Sequence, residues 1–485
     1  MRIGGLATGM DTEQLVKKLM EAERMPLDRM KQDQTKLTWQ RDAFRDINKS
    51  LLELDNMMLD MKMSRTYNSK SVSSSNEGAV TATASTNTAN GTYNIKVDKL
   101  ASSAMNMSAD KIELVATEAL GAERAGTFHF STYNEKGEAI EHTFEVKAED
   151  TLNQVLKRIT DADNNVRAFY DSQSDKVIME TTRTGNYNEA GNEIEFGADN
   201  VFFSTDLKLD MAGEKGGENA SFTYNDHLSL TSKSNSYQLN GVSFQFKDVG
   251  SASLTVVNNI DESFDSIMKF IDKYNEVVET LNGSQREERF RDYPPLTEEQ
   301  KKGMSEDEIE LWEERAMSGI LRGESSISNG LFSMRQSWYS SVETGGEFTS
   351  LTQLGIKTSP NYMDGGKLIV DEGKLRTALQ ENPADVQKLF SNSGTGAERG
   401  LVNRVEDSIE STMKQIKSRA GNGTDTLENY TLGKRMKDIN SRISSFEDRL
   451  VQVENRYWSQ FTAMEKAISR MNQQSSQLMS QFGSM

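Results

Sequence analysis

The chain has no cysteine among its 485 residues, so disulfide bonds and thiolate-bound metal ions are excluded. It also lacks any apolar run of the roughly 18 residues that a membrane-spanning helix requires. The first six residues, Met-Arg-Ile-Gly-Gly-Leu, do not contain the hydrophobic region of a signal peptide. We therefore expect a protein that stays in the cytoplasm or leaves the cell by a route that reads no such signal.

Positive charge is scarce outside the two ends of the chain. The formal net charge is −18, and residues 67–424 carry 36 basic against 56 acidic residues, whereas residues 1–66 and 425–485 each carry a net charge of +1. An acidic middle repels nucleic acid and anionic membranes, while nearly neutral ends can pack against copies of themselves. No basic patch is interleaved with aromatic residues. We predict binding to no nucleic acid and no membrane insertion.

Patterns typical of catalysis or metal binding are also missing. The three histidines, His129, His142 and His227, lie in polar, strand-rich stretches without the spacing of metal ligands. No glycine-rich phosphate loop follows a strand, and no acidic residue belongs to a distinctive carboxylate motif such as that of a glycosidase. We predict that the protein is not an enzyme and has no catalytic residue, cofactor or metal.

The strongest positive feature is a helical repeat at the C-terminal end. Apolar residues follow one another there at alternating steps of four and three, with one doubled four that makes a stutter at Tyr457 and Phe461. The repeat runs through Leu432, Met436, Ile439, Ile443, Phe446, Leu450, Val453, Tyr457, Phe461, Met464, Ile468, Met471, Leu478 and Phe482, with the polar Ser475 at the position between Met471 and Leu478. A continuous helix over this stretch is about 75 Å long. Its stripe requires partner helices.

The N-terminal end supplies a partner with the same rhythm. Its stripe consists of Leu37, Phe44, Ile47, Leu51, Leu54, Met58 and Met61. A shorter stripe of Leu15, Leu19 and Ala22 precedes it, Asp11 is placed to cap the first helix, and Pro26 predicts a kink or a break. The alternative is a long helical bundle inside one globular protein.

Between these ends the pattern changes twice. Residues 64–76 have the composition of a linker, and residues 79–259 read mainly as strands with one helix over about 151–161. Helical stripes return over 264–281, which Gly283 ends, and over 309–320 and 401–416. We predict an α+β multidomain protein, with N- and C-terminal coiled-coil helices and a helical leg domain into which a β-rich head of two small domains is inserted.

Three segments carry a resemblance to a known family. They are residues 3–12 (Ile-Gly-Gly-Leu-Ala-Thr-Gly-Met-Asp-Thr), residues 291–297 (Arg-Asp-Tyr-Pro-Pro-Leu-Thr) and residues 461–468 (Phe-Thr-Ala-Met-Glu-Lys-Ala-Ile). As a set they resemble the bacterial flagellar filament cap proteins, FliD or hook-associated protein 2. Residues 108–231 carry no such match.

The resemblance implies a structural cap, a ring at the distal tip of the flagellar filament that promotes flagellin insertion and filament elongation. Its implied partners are copies of itself, flagellin, the hook–filament junction protein and a flagellar export chaperone. Its implied location is extracellular, after type III flagellar export without a cleaved signal peptide. The expected domains are a terminal coiled coil (1–40 and 432–485), a leg (41–70 and 261–431), an inner head (71–107 and 232–260) and an outer head (108–231).

The same resemblance assigns roles to residues. The helix for assembly and chaperone binding would use Phe461, Met464, Ile468, Met471, Leu478 and Phe482. The N-terminal motif comprises Leu6, Met10, Asp11, Leu15 and Leu19. The residues expected to pack the leg are Leu37, Phe44, Ile47, Leu51, Leu54, Trp312, Ile443, Phe446 and Leu450.

Two other functions remain open from the sequence. Another flagellar axial protein, a hook–filament junction protein or a flagellin, shares helical ends around an inserted head. An adhesin or extracellular hydrolase would use the β-rich head, but the sequence shows no ligand site there.

Overall fold

A computed structural model describes residues 11–197 and 200–482, apart from the side chains of residues 480–482. The chain divides into two units. One combines both ends of the chain, residues 1–67 and 261–485, and the other comprises residues 68–260. About 50% of the chain is helix and 21% is strand, distributed over several small sheets. The predicted α+β multidomain fold, with a β-rich head inserted into a helical part, is confirmed.

The first helix, α1 (Thr12–Lys62), is a single helix of 51 residues. Asp11 caps it, because its Oδ1 accepts a hydrogen bond of 2.9 Å from the backbone N–H of Gln14. A kink or a break was predicted at Pro26, and the break is wrong, since the helix runs through this residue. A proline removes one helical hydrogen bond, and Met20 and Leu27, buried on either side of it, anchor the helix by packing.

The second unit begins after α1 and is built mainly of strands. They are β1 (Lys70–Ser74), β2 (Val80–Ala84), β3 (Gly91–Lys99), β4 (Ser103–Met107), β5 (Gly126–Tyr133), β6 (Ala139–Val146), β7 (Val166–Asp171), β8 (Lys176–Thr184), β9 (Glu195–Phe196), β10 (Ala220–Tyr224), β11 (Leu228–Ser232), β12 (Ser236–Leu239), β13 (Val242–Phe246) and β14 (Gly250–Asn258), with helix α2 (Leu152–Asp161) between β6 and β7.

An inner module is formed by two of its sheets. One has the order β1-β14-β3-β10-β11 and the other the order β12-β13-β2. Both contribute to one apolar core, which includes Ile95, Phe222 and Phe244. Asn240 and Gly241, with φ of 49° and 79°, form the two-residue turn between β12 and β13. A tight hairpin needs these left-handed conformations.

An outer module contains two more sheets, β4-β8-β7 and β6-β5-β9, together with α2. Its separate core includes Phe130, Leu152, Phe202 and Phe203. The boundary expected between the two modules needs correction. β4 was expected within the inner residues 71–107, but it pairs with β8, while β10 and β11, expected within 108–231, extend the inner sheet beside β3. Long-range strand pairing of this kind leaves no local sequence pattern.

The linker predicted over residues 64–76 is wrong for residues 70–74. This segment is β1, which pairs antiparallel with β14 from Lys70 opposite Asn258 to Ser74 opposite Leu254. β1 lies at the edge of its sheet. Val72 is its single apolar residue, so the alternation that identifies a half-buried strand is absent.

The remaining elements belong to the first unit. They are α3 (Ile260–Arg286), α4 (Glu298–Lys301), α5 (Glu306–Met317), α6 (Ser325–Tyr339), β15 (Ile356–Thr358), β16 (Leu368–Val370), α7 (Glu372–Glu381), α8 (Pro383–Ser391), α9 (Leu401–Ala420) and α10 (Thr431–Phe482). The predicted stop at Gly283 is wrong, since α3 continues to Arg286. Tyr274 of α3 and Trp338 of α6 are buried edge to face with ring centroids 5.5 Å apart. In the described part of the chain, no helix is both long and apolar enough to cross a membrane.

Candidate assembly surface of the terminal helices

The two terminal helices, α1 and α10, pack side by side and run antiparallel. Gln34 Nε2 donates a hydrogen bond of 2.6 Å to Asn440 Oδ1, and the Tyr457 hydroxyl donates one of 2.9 Å to Glu23 Oε1. Partner positions therefore rise along α10 as they fall along α1. These contacts fix the register of the pair, which is made of residues more than 400 positions apart.

An apolar seam lies between the two helices. Its buried members are Val16, Met20, Leu27, Ile439, Ile443, Leu450 and Val453, and Met30, Leu37, Phe446, Tyr457, Trp458 and Phe461 pack against them half-buried. The α10 residues of this seam, apart from Trp458, belong to the apolar stripe that the C-terminal repeat predicted.

On α1, the predicted stripe of Leu15, Leu19 and Ala22 is wrong. Leu15 is 39% and Leu19 38% exposed, whereas Val16 is 3% and Met20 6% exposed. One residue rotates a helical face by about 100°. Both pairs have a spacing of four, and the choice between them depends on which face continues into Leu27.

Towards its C-terminal end, α1 also packs against α9. The structure places four of the expected leg residues in this part as buried side chains, Phe44, Ile47, Leu51 and Leu54, each at most 4% exposed. Burying such side chains stabilises each by about 1.5–3 kcal/mol relative to exposure. They anchor the part of α1 nearest the head segment in sequence.

Trp312, one of the residues expected to pack the leg, is half-buried within the leg segment 261–431. It lies on α5, where its indole N–H donates a hydrogen bond of 2.8 Å to the carbonyl of Pro294. Its ring centroid is 4.7 Å from that of Tyr293, and the Arg315 guanidinium donates a hydrogen bond of 2.6 Å to the Tyr293 hydroxyl. Trp312 therefore holds the segment that precedes α4 against α5.

The far end of α10 extends past the start of α1. Counting from the contact between Glu23 and Tyr457, Thr12 lies level with about Ile468, because both helices rise about 1.5 Å per residue. Beyond that level Met471 is 64% and Leu478 54% exposed. Among the described residues, this end of α10 has no helix opposite it.

The residues expected on the assembly surface therefore fall into groups. Phe461, Met464 and Ile468 are half-buried, and Phe461 packs against the seam with α1. Met471 and Leu478 are exposed, and so is Met479, which the sequence reasoning did not single out although it is 75% exposed. Leu6, Met10 and the side chain of Phe482 lie outside the described residues.

A group of three carboxylates lies on the leg. Asp55, Glu406 and Glu410 bring oxygens within 4.8 Å of one another. Burial, followed by the negative charge of the two glutamates, raises the pKa of Asp55. The Lys62 ammonium forms an ion pair with Glu406. A lysine thus supplies positive charge at this group, and we assign it no metal.

Two of the histidines hydrogen bond within the outer module. His129 Nδ1 lies 3.0 Å from Thr143 Oγ1 and His142 Nε2 lies 2.8 Å from Thr132 Oγ1. Neither histidine belongs to a group of three potential metal ligands among the described residues. Burial lowers the pKa of His142, so the imidazole is neutral at pH 7.

Comparison with known proteins decides the family. Models of the N-terminal and C-terminal parts of flagellar hook-associated protein 2 match residues 8–104 and 217–473. Flagellar hook-associated protein 2 of Halalkalibacterium halodurans is 37% identical to this chain, and the alignment covers 98% of each. The chain belongs to the flagellar hook-associated protein 2 family. The resemblance found in the sequence is thereby confirmed, together with its placement among flagellar structural proteins.

More distant relatives agree. The A-type flagellar hook-associated protein 2 of Pseudomonas aeruginosa is 24% identical over 98% of this chain and 96% of its own length. The crystal structure of the D1-D2-D3 domains of the flagellar cap protein FliD from Escherichia coli has a TM-score of 0.59 at 17% identity, over 82% of this chain and 99% of that chain. It shares the fold. Neither family model covers residues 105–216, which include most of the outer module.

Proposed function

We propose that the protein caps the distal tip of the flagellar filament as a ring-shaped homo-oligomer and promotes flagellin insertion and filament elongation. Membership of the hook-associated protein 2 family supports this role. The observation that carries it is the end of α10, where Met471, Leu478 and Met479 stand exposed beyond the start of α1. Large apolar side chains grouped on a helix end are suited to contact with other subunits.

The terminal coiled coil is the part we assign to assembly. Leu15 and Leu19 are more than a third exposed, so they are available to a neighbouring molecule together with the end of α10. The leg and the head would then position this region at the growing end of the filament. The partners we propose are further copies of the protein, flagellin and the hook–filament junction protein.

Before assembly the exposed apolar end of α10 needs protection from aggregation. An export chaperone that covers Met471, Leu478 and Met479 would provide it. The protein would then act outside the cell, at the filament tip, after export by the flagellar route. Its role is structural, and we propose no reaction for it.

The test removes the apolar character of the helix end. Leu478→Asp combined with Met471→Asp places two charges on side chains that are exposed in the single chain, so the fold should remain. We expect rings of the wild-type protein by negative-stain electron microscopy and separate subunits of the variant. Cells that carry only the variant should release flagellin into the medium and lack long filaments.

Leu52→Asp is the matched control, since Leu52 is a 47% exposed leucine elsewhere, on α1. Circular dichroism should give the same unfolding transition for all three proteins. Normal rings and filaments from the double variant of Met471 and Leu478 would show that the end of α10 is not the assembly surface.

A further inference from the structure

A groove follows one side of the α1–α10 pair, at the level of Pro26. Its lining includes Pro26, Met30 and Phe446, which supply apolar surface, and Ser441 and Ser445, which are small. Met30 and Phe446 are half-buried and pack against the seam. The groove therefore has an apolar floor, and its volume is about 660 Å³.

The groove is bordered by positive charge. Arg29, Arg442 and Arg449 line it, with Asp33 as the one acidic lining residue. All three arginines are exposed, and none of them forms a salt bridge with another residue of the described ranges. Arg449 lies with its guanidinium carbon 5.8 Å from the centre of the Phe446 ring. A ligand for this groove should carry negative charge around an apolar group.

Helix α5 of the same protein has that combination. Asp307, Glu310, Leu311 and Glu314 follow at steps of three, one and three, which places them on one helical face. Leu311 is 60% exposed. None of the three carboxylates has a salt bridge within the described part of the chain, in contrast to Glu313, which is 2.8 Å from Lys301.

The two surfaces also agree in length. The α10 side of the groove extends from Ser441 to Arg449, about 12 Å of helix, and the acidic face of α5 extends from Asp307 to Glu314, about 11 Å. The groove thus offers three guanidinium groups and α5 three carboxylates over a similar length, around an apolar floor and one leucine. Arginine is well suited to carboxylate recognition because its guanidinium presents several donors in a planar fork.

We propose that α5 of one copy docks in the α1–α10 groove of a neighbouring copy, with Leu311 on Met30 and Phe446. Groove and helix are different surfaces of the same chain, so the contact is head to tail and generates a ring when the rotation closes. This inference rests on the proposed function, to which it adds a second contact between neighbouring subunits beside the one at the end of α10. The strongly acidic character of residues 67–424 leaves the basic groove as a complementary surface within the same molecule.

Cysteine cross-linking tests the contact directly, because the chain has no native cysteine. The double variant Leu311→Cys with Ser445→Cys should form a ladder of covalent multimers on mild oxidation of the assembled full-length protein. Leu311→Cys with Lys414→Cys is the control, since Lys414 lies exposed on α9, and it should give no ladder. Each single variant should give no species larger than a dimer.

Charge reversal provides an independent readout. Arg442→Glu with Arg449→Glu, or Glu310→Arg with Glu314→Arg, should each weaken self-association by about tenfold or more in sedimentation, and the four changes together should restore it. If these charged residues only stabilised the fold of their own subunit, combining the four changes would not restore self-association. Lys414→Glu with Lys417→Glu changes the net charge by the same amount as the groove variant and should leave association unchanged.

The outcomes separate this contact from the proposed function. A wild-type protein that stays monomeric at every concentration would overturn both. Wild-type rings without the cysteine ladder, and unaffected by either reversal, would overturn the docking of α5 and leave the cap role intact. Loss of flagellin binding in the groove variant with unchanged self-association would also overturn it, because flagellin would then occupy the groove.

Discussion

The Tyr457 hydroxyl donates a 2.9 Å hydrogen bond to the Glu23 carboxylate across 434 positions of sequence. Apolar helix faces tolerate sliding by a turn, whereas a bond between two defined side chains does not. This contact therefore sets how far α10 extends past α1, and with it how much apolar surface the helix end exposes.

Tyr457→Phe removes this hydrogen bond and keeps the ring in the seam. We expect the free energy of unfolding of the helical unit to fall by about 1 kcal/mol, measured by urea unfolding with circular dichroism. Tyr362→Phe is the control, because Tyr362 is 81% exposed. Equal losses in the two variants would show that the bond does not stabilise the pair.

The two neighbouring residues Leu19 and Met20 test which face of α1 meets α10. Met20→Ala should cost about 2 kcal/mol, because it removes a buried side chain from the seam. Leu19→Ala should change stability by less than about 0.5 kcal/mol. Urea unfolding decides between them, and a larger effect at Leu19 would contradict the observed rotation of α1.

Deletion of the outer module should leave the inner module folded if it removes β4 and keeps β10 and β11, which belong to the inner sheet. The Ser102 N–H donates a 3.0 Å hydrogen bond to the Glu218 carbonyl, so the chain enters and leaves the outer module at adjacent points. A variant that lacks residues 103–217, joined by a glycine, keeps both inner sheets and should unfold cooperatively in calorimetry.

A variant that lacks residues 108–231 serves as the comparison. It loses β10, β11 and the fully buried Phe222, so its head should lose cooperative unfolding and become sensitive to proteolysis. Equal cooperativity of the two variants would show that β10 and β11 are dispensable for the inner module.

Acid should weaken the outer module through Asp150. Its carboxylate accepts two hydrogen bonds of 2.9 Å from the Arg158 guanidinium, which holds the pKa of Asp150 below its ordinary value. A depressed carboxyl pKa contributes stability above the unfolded pKa of about 3.9, and this contribution is lost as the pH falls through the lower folded value.

The measurement compares wild type with Asp150→Asn. The difference in unfolding free energy should be largest near neutral pH and shrink as the pH falls below about 4. Asp110→Asn, at an exposed carboxyl, should give a curve parallel to that of wild type. A difference between wild type and Asp150→Asn that stays constant with pH would contradict the role of the ionised carboxylate.

The sequence predicted most of what depends on local periodicity. The stripe of α10 and the helix α2 follow from the spacing of their apolar residues. Features decided by distant contacts could not be predicted. β1 is polar because it lies at a sheet edge, and Pro26 stays helical because side chains on both sides of it are buried.

The candidate site shows the same division. The sequence indicated that α10 needed a partner and that Met471 and Leu478 belonged to its stripe. It could not show that α1 ends its pairing near Ile468, because that depends on the register of two segments more than 400 residues apart. The groove with Arg442 and Arg449 also has no sequence signal, since charged residues on a helix usually face solvent.

The pairing of α1 with α10 also determines the order in which the parts of the chain can fold during synthesis. About 370 residues separate the end of α1 from the start of α10, and a ribosome adding about 5–20 residues per second needs on the order of 20–70 s to produce them. During that interval the seam face of α1, with Val16, Met20 and Leu27, has no α10 to cover it. Residues 68–260, which form a unit of their own, are complete about halfway through it. The helical unit is therefore the last part of each molecule to become stable.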